Sequence, residues 1–250
     1  MDQKKEIKKT NDQIINSFST ELQTKVKTSI SIIEEAVARY GYEGLSLSYN
    51  GGKDCLIILD LIHSIATGIL PTNLTNPEKL KEIVLFYLRD EDDFEEIDEF
   101  VNTSLRSYDF RNYTKFATNS LKQGLIYILK EYPKLQGIFL GTRTADLKGR
   151  KQPIFAPTNG DWPESIRISP IMEWNYSDIW DYLLTKKVSY CELYDQGYTS
   201  LGLKSQTKQN PLLKQKNGEF LPAWVLSQKS SERDGRILSL SNSSTSTQIH

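Results

Sequence analysis

Hydrophobic positions along the chain alternate between helical and extended spacing. From residue 19 to residue 40, apolar residues recur every three or four positions and predict an amphipathic helix that ends at Gly41. Further helices are predicted over residues 53–66, 94–107, 119–131 and 177–184, and strands over residues 45–49, 83–88, 108–116, 136–140, 168–174 and 222–226. Because strands and helices alternate, we expect an α/β fold with a doubly wound, mostly parallel sheet in the strand order 3-2-1-4-5.

The first predicted strand runs into a glycine turn that opens a helix. Asn50, Gly51 and Gly52 break the strand, and helical spacing starts at Lys53. A helix that begins at the end of a strand presents free N–H groups and a positive dipole end, which suit an anion. Two adjacent glycines also leave no Cβ between the main chain and a ligand. The stretch predicts a phosphate site, with an ordinary strand–turn–helix corner as the alternative.

The residue after the lysine indicates which phosphate this loop suits. The common phosphate loop has four residues between its glycines and a hydroxyl after its lysine. Here the glycines are adjacent and Asp54 follows Lys53. An aspartate beside a phosphate is repulsive unless a cation lies between them. Asn50 and Asp54 therefore favour a Mg²⁺-bound nucleotide over a bare phosphate, with Asp54 as the metal ligand.

Two later loops carry candidate chemistry. Gly141, Arg143 and Asp146 follow the fourth predicted strand, so they are expected to face the glycine loop across the crevice of the sheet. Arg143 can bind a phosphate through two hydrogen bonds, and Asp146 can hold Mg²⁺ or a sugar hydroxyl, although a local Arg–Asp contact would leave the same pattern. In a polar loop further on, the flat face of Trp162 can cover a ring and Arg167 can reach a carbonyl or phosphate. The alternative is an aromatic anchor for that loop.

Composition excludes several classes of function. With 250 residues and a net charge of −1, the chain has no bulk attraction for nucleic acid or anionic membranes. Its histidines, His63 and His250, are too few for a histidine-based triad or metal cluster, and Cys55 and Cys191 form no C-x-x-C pair. No apolar run approaches the ~18 residues that a membrane span needs, and the lysine-rich start fits no secretory signal. A cytosolic protein is expected.

The glycine loop resembles a motif of a known family. Residues 48–55, SYNGGKDC, are similar to the modified pyrophosphate loop of the fungal FAD synthases, which are relatives of the PAPS reductases. The G-x-R-x-x-D of residues 141–146, the W-P-x-x-x-R of residues 162–167 and the E-R-D-G-R of residues 232–236 match further motifs of that family. Without this likeness, Arg233 and Arg236 would be read as solvent-exposed arginines. The resemblance spans about residues 46–236.

The resemblance implies a fold, an organisation and a set of residues. The fold is Rossmann-like, of the adenine nucleotide alpha hydrolase/PAPS reductase type. The organisation is a nucleotide-binding domain over residues 1–190, an extension over residues 191–238 that folds back on the active site, and a disordered tail over residues 239–250. The implied catalytic residues are Asn50, Asp54, Asp146, Arg233 and Arg236. The implied binding residues are Ser48, Tyr49, Gly51, Gly52, Lys53, Leu88, Gly141, Arg143, Asn159, Trp162 and Arg167, with Leu88 beside the adenosine half of the nucleotide.

The activity implied by the resemblance is adenylyl transfer from ATP to FMN, which gives FAD and pyrophosphate with the help of Mg²⁺. A monomer that binds only small molecules is expected. A PAPS reductase-like enzyme would need a reactive cysteine near the end of the chain, and none follows Cys191. A sulfate adenylyltransferase-like enzyme would not need the segment from Trp162 to Arg167. A non-catalytic flavin-binding protein is favoured only by Asn159, where the family often has aspartate.

Overall fold

A six-stranded sheet in the order β3-β2-β1-β4-β6-β5 forms the centre of the computed structural model, which describes residues 15–110, 112–118, 120–147, 151–227 and 231–237. The elements are α1 (Thr20–Tyr40), β1 (Leu45–Ser48), α2 (Lys53–Ala66), β2 (Val84–Arg89), α3 (Glu95–Ser107), β3 (Tyr113–Ala117), α4 (Leu121–Glu131), β4 (Gly137–Phe139), β5 (Phe155–Pro157), β6 (Ile166–Ile168) and α5 (Tyr176–Thr185). Every strand pair is parallel except β5 with β6. The mostly parallel α/β fold is therefore confirmed. The predicted tail lies outside the described residues.

Helices cover both faces of this sheet. In β2, Leu85 and Tyr87 belong to the larger hydrophobic core, whereas Phe86 belongs to a second, smaller one. Because successive strand residues point to opposite faces, the two cores lie on opposite sides of the sheet. Helices α1, α2, α3 and α5 contribute to the larger core, and α4 contributes Leu125 and Ile128 to the smaller one. This is the doubly wound arrangement that the alternating pattern predicted.

The helix ends follow from local sequence. The Ser19 side chain accepts a hydrogen bond from the amide of Leu22 and caps α1, which stops at Gly41 with a φ of 66°. A reciprocal pair of hydrogen bonds between Asn175 and Asp178 opens α5. None of the described helices combines the length and hydropathy that crossing a membrane requires.

Three predicted strands were wrong in whole or in part. The predicted strand over residues 168–174 ends at Ile168, because a turn begins at Pro170, which has no N–H to give to a ladder. Residues 223–225 form a 3₁₀ turn instead of the predicted late strand, and β3 begins at Tyr113, after a turn in which Asp109 has a φ of 56°. The short antiparallel edge strand β5 was not predicted. The order of the other five strands agrees with the prediction.

Candidate active site

The glycine loop lies between β1 and α2, at the point where the sheet order reverses. Gly51 has a φ of 74°, and a Cβ at this position would meet Val101 at 2.9 Å, so α3 packs against a backbone that only glycine allows. The loop is closed by a hydrogen bond from the Gly52 amide to Asn50 Oδ1 (3.1 Å). The amide of Lys53, which opens α2, donates to the Tyr194 hydroxyl (2.9 Å). The loop is thus held in a defined conformation with its helix end turned towards a cavity.

Arg143 forms the centre of a buried group of charges next to this loop. Its side chain is only 1% exposed, and its Nη2 donates to both carboxylate oxygens of Glu232 at 2.7 and 2.8 Å. Its Nε lies 3.0 Å from Asp54 Oδ1, and its backbone amide donates to Asp146 Oδ2 at 3.0 Å. The Nε atom also lies 3.8 Å from Asp146 Oδ2, so the guanidinium group forms ion pairs with three carboxylates.

Lys53 shares one of these carboxylates. Its Nζ donates to Glu232 Oε1 at 2.6 Å and lies 3.2 Å from Asp54 Oδ2, while its side chain is 2% exposed. Burial alone would raise the pKa of the Glu232 carboxyl group, but the positive charges of Lys53 and Arg143 outweigh that effect and lower the pKa. Glu232 is therefore an anion at neutral pH that bridges two buried cations.

Residues 231–237, which we call the C-terminal arm, bring Glu232 and the two predicted arginines to the loop. The Thr199 hydroxyl donates to the carbonyl of Glu232 (2.6 Å), and the Asn210 amide group donates to the carbonyl of Ser231 (2.7 Å). Arg233 Nη2 donates to Asp146 Oδ1 at 2.8 Å. The arm is fastened by its main chain and by its charges.

The guanidinium group of Arg236 packs against the main chain at Gly202. Its Nη1 donates to the carbonyl of Leu201 at 2.6 Å, and a Cβ on Gly202 would lie within 2.1 Å of its guanidinium group. Burial lowers the pKa of Arg236, and the charge of Arg233 lowers it further. None of the described carboxylates forms an ion pair with Arg236, so this cation is available to an anionic ligand.

Two adjoining cavities lie over the loop. A polar cavity of about 80 Å³ is bounded by the glycine loop, the residues after β4 and the arm. An apolar cavity of about 620 Å³ extends from it along β2 and α4, with walls that include Phe86, Leu125, Ile138, Leu140 and Trp162. The two cavities share six residues, which are Ser48 at the end of β1, Asn50 and Gly52 of the loop, Leu140, Leu201 and Arg236. A ligand with phosphates at one end and a flat ring at the other would fit this arrangement.

Most of the predicted residues meet at these cavities. The polar cavity is lined by Ser48, Asn50, Gly52, Lys53, Asp54, Gly141, Asp146, Arg233 and Arg236, and the apolar cavity by Leu88, Trp162 and Arg167 as well as the shared residues. Arg167 Nη2 donates to the carbonyl of Pro157 (3.1 Å), while its buried Nε has no partner among the described residues.

Four predicted residues line neither cavity. Tyr49 is fully buried, and its hydroxyl is bonded to the Ser104 hydroxyl in the core, because the alternation along β1 turns it away from the site. Gly51 backs onto α3, and Asn159 is exposed at a turn. Arg143 does not line the polar cavity but is paired with Glu232, which does, so its contact with a phosphate stays a prediction.

Several residues of the site were not predicted. Glu232 is the most important of them, because it pairs with Lys53 and Arg143. The one sequence feature that could have indicated it is its position at the start of the E-R-D-G-R motif. Thr199 holds the carbonyl of Glu232, and Gly202 lies against the guanidinium group of Arg236. Tyr194, which binds the Lys53 amide, left no signal because a tyrosine after an apolar residue is typical of a core.

The two cysteines have no nucleophilic role in this geometry. Burial raises the pKa of Cys55 to about 12 and that of Cys191 to about 11, so both thiols are protonated at neutral pH. Cys55 Sγ donates to Asn50 Oδ1 at 3.0 Å and thereby helps to hold the loop. A reductase that works through a reactive cysteine does not fit.

Gly141→Ala is expected to destabilise the protein by about 1–3 kcal/mol, because it overpacks the contact between the residues after β4 and the first turn of α2. The new Cβ would lie 2.9 Å from Asp54 Cβ and 3.0 Å from the amide nitrogen of Cys55. Relieving this contact requires a shift of the helix backbone, which costs free energy. Urea unfolding measures the change. A variant within about 0.5 kcal/mol of the wild-type protein would contradict this close packing.

A mostly parallel sheet with a glycine loop at its switch point is typical of nucleotide-binding α/β proteins. Comparisons with known proteins identify the family. The chain belongs to the phosphoadenosine phosphosulfate reductase domain family, whose model matches residues 44–209. Within this family it is similar to a probable FAD synthase of Schizosaccharomyces pombe, with 39% identity over 86% of this chain and 80% of that protein.

Two further comparisons extend this likeness. A probable FAD synthase of Caenorhabditis briggsae is 34% identical over 90% of this chain, and the chain spans 42% of the length of that protein. The fold matches the crystal structure of Candida glabrata FMN adenylyltransferase in complex with FAD and inorganic pyrophosphate, with a TM-score of 0.79, 21% identity and coverage of 92% of this chain and 96% of that one.

Proposed function

We propose that this chain transfers the adenylyl group of ATP to FMN and forms FAD and pyrophosphate. The observation that carries the proposal is the position of Arg236, a cation without a described carboxylate partner, where the polar and apolar cavities meet. A phosphate joined to a flat ring system, as in FMN, can place its charge there and its ring among the apolar walls. The likeness to probable FAD synthases supports the same reaction.

The phosphate end of the site is suited to positioning and charge neutralisation. Gly52 and the Lys53 amino group, which line the polar cavity, hold the ATP phosphates, while Gly51 and Asn50 shape the loop. Arg233 and Arg236 align the attacking phosphate. An FMN phosphate oxygen then attacks the α-phosphorus of ATP in line, the bond to the bridging oxygen breaks, and pyrophosphate leaves. Because the phosphate is already a nucleophile, the reaction needs no general base, and no histidine lines either cavity.

We include Mg²⁺ in the proposal because the residues fit it. Asp54 and Asp146 line the polar cavity, and among the described residues Asp54 Oδ1 is paired only with Arg143 Nε, 3.0 Å away. Residues 15–237, apart from the undescribed gaps, hold no cluster of three or more potential ligands. This agrees with a metal that binds through one or two carboxylates and the substrate phosphates. When bound, Mg²⁺ would neutralise phosphate charge.

The reaction is tested by incubating the purified protein with FMN, ATP and Mg²⁺ and separating the flavins by chromatography, with an EDTA control. Metal-dependent FAD and an equal amount of pyrophosphate are expected. FMN that stays unchanged would overturn the proposal. The same proposal includes an enzyme whose residues 191–238 complete the site. We also propose that it is monomeric, which size-exclusion chromatography would check, and cytosolic, which cell fractionation would check.

Trp162→Ala is expected to raise the KM for FMN by about tenfold, because an aromatic face stacked on a ring contributes about 1–3 kcal/mol. Trp162 is partly buried against the smaller core and lines the apolar cavity. Initial rates measured against FMN concentration give the change, and Trp162→Phe should keep most of the affinity. Trp224→Ala is the matched control, since Trp224 is exposed and lines neither cavity. Equal KM values for Trp162→Ala and the control would contradict the stacking.

A further inference from the structure

Glu232 connects the C-terminal arm to the phosphate loop through the strongest kind of polar contact in the site. Its carboxylate accepts two hydrogen bonds from Arg143 and one from Lys53, all between 2.6 and 2.8 Å. Bonds between ionised groups are shorter and stronger than neutral ones. Arg233 follows directly, and Arg236 lies three residues further on. The place of both arginines therefore depends on where Glu232 is held.

A carboxylate held by a lysine and an arginine can have two opposite roles in such a site. It can remain in place and hold the arm, or it can occupy the position of a ligand phosphate and be displaced when that ligand binds. The surroundings of Arg143 distinguish the two. Its Nε and Nη1 have no hydrogen-bond partner among the described residues, so Glu232 provides the only described hydrogen bonds to its side chain. Displacing Glu232 would break these hydrogen bonds at a buried guanidinium group, and a phosphate would have to reach Arg143, which lines neither cavity, to restore them.

The main chain of the arm is also fixed on both sides of Glu232. The buried Thr199 hydroxyl holds its carbonyl, Asn210 holds the carbonyl of Ser231, and the Lys208 amide donates to the carbonyl of Gly235 at 2.8 Å. These contacts hold the main chain of the arm against Thr199, Lys208 and Asn210. They favour a carboxylate that stays.

We propose that Glu232 is a positioning residue, which anchors the C-terminal arm to Lys53 and Arg143 so that Arg233 and Arg236 face the substrate phosphates. This inference rests on the proposed function and deepens it. Glu232 itself does not need to touch the reacting atoms. Its effect is transmitted through the two arginines, whose contacts are expected to strengthen as charge shifts in the transition state.

The test compares Glu232→Gln, which keeps the shape and removes the charge, with Glu232→Asp, which keeps the charge on a shorter side chain. Misplacing groups that act in the transition state lowers kcat more than it changes KM, so Glu232→Gln should lose about 10-fold to 10²-fold in kcat with a much smaller change in KM for ATP. Glu232→Asp should recover part of the loss. Asp234→Asn is the matched control, because Asp234 is an exposed acid of the same arm, and it should keep wild-type kinetics.

A second measurement is independent of activity. Amide hydrogen exchange of Arg236, whose amide donates to the Arg233 carbonyl, and of Ile237, whose amide donates to the Gln206 carbonyl, should be faster in ligand-free Glu232→Gln than in the wild-type protein. Thr199→Val, which removes the hydroxyl that holds Glu232 without touching the buried charges, should show the same faster exchange and a fall in kcat. This variant keeps the test valid if Glu232→Gln does not fold.

Two results would overturn the inference. Wild-type kcat and wild-type exchange in Glu232→Gln would mean that the arm does not depend on the bridge. Tighter ATP binding with undiminished turnover would mean that Glu232 is displaced by a phosphate. A wild-type protein that makes no FAD would instead refute the proposed function, and the exchange measurement would still decide whether Glu232 anchors the arm.

Discussion

Arg233→Ala is expected to lower the rate of FAD formation by about 10²–10³-fold, or about 3–4 kcal/mol of transition-state stabilisation. Arg233 lines the polar cavity, and its guanidinium group is aligned by a 2.8 Å hydrogen bond to Asp146. In the proposed reaction, a fixed cation at this place would neutralise charge that moves between the attacking phosphate and the leaving pyrophosphate. Water that fills the place of the lost group cannot do this as well, because it must reorient during the reaction.

The fold should tolerate this change. The Arg233 side chain is 37% exposed, and the ion pair that it makes is worth little to stability at such exposure. The kcat/KM for FMN and the melting temperature should be measured together. Arg106→Ala, an exposed arginine on α3 far along the chain from the arm, is the control for the loss of one positive charge. A variant with normal turnover would remove Arg233 from the mechanism.

Arg143→Met is expected to destabilise the protein by about 3–5 kcal/mol, since removing one partner of a buried charge group leaves the others uncompensated. The carboxylates of Asp54, Asp146 and Glu232 would lose the cation that holds them together. Methionine keeps much of the volume, so the change reports charge more than packing. Urea unfolding at neutral pH measures the difference.

A double variant separates charge from packing at this position. If uncompensated charge is the cause, Arg143→Met combined with Glu232→Gln should be less destabilised than the sum of the two single variants. Arg143→Lys keeps the charge but not the fork of donors, so it should recover only part of the stability. Additive effects, or a loss below about 1 kcal/mol for Arg143→Met, would contradict the central place of this residue.

Features with a local cause could be predicted from the sequence. The ends of α1 depend on Ser19 and Gly41, which act within one turn of the helix. The glycine loop depends on neighbouring residues, because the change from strand to helical spacing and the two glycines lie within a few positions. The resemblance to FAD synthases, which the comparisons confirm, rests on such short motifs.

Strands were predicted wrongly where apolar residues indicated burial but did not distinguish a strand from a turn. Ile171 and Trp174, which lie in the predicted strand over residues 168–174, are buried in the core, yet they reach it from a turn and not from a strand. The edge strand β5 has only three residues, which is too short for a period to be recognised. Period-based prediction needs several repeats to distinguish a strand from a compact turn.

The alternating helices and strands, the glycine loop and the motifs that identify the family could be predicted from the chain alone, because each is encoded within a few neighbouring residues. The pairing of the charges depends on the folded structure. Lys53 and Glu232 are 179 positions apart, and Arg143 and Glu232 are 89 positions apart. No pattern of spacing describes a pair at such separation, since it exists only after the sheet has formed and the arm has folded back over it. The same folding places the guanidinium group of Arg143 against Asp54, Asp146 and Glu232, which line the polar cavity.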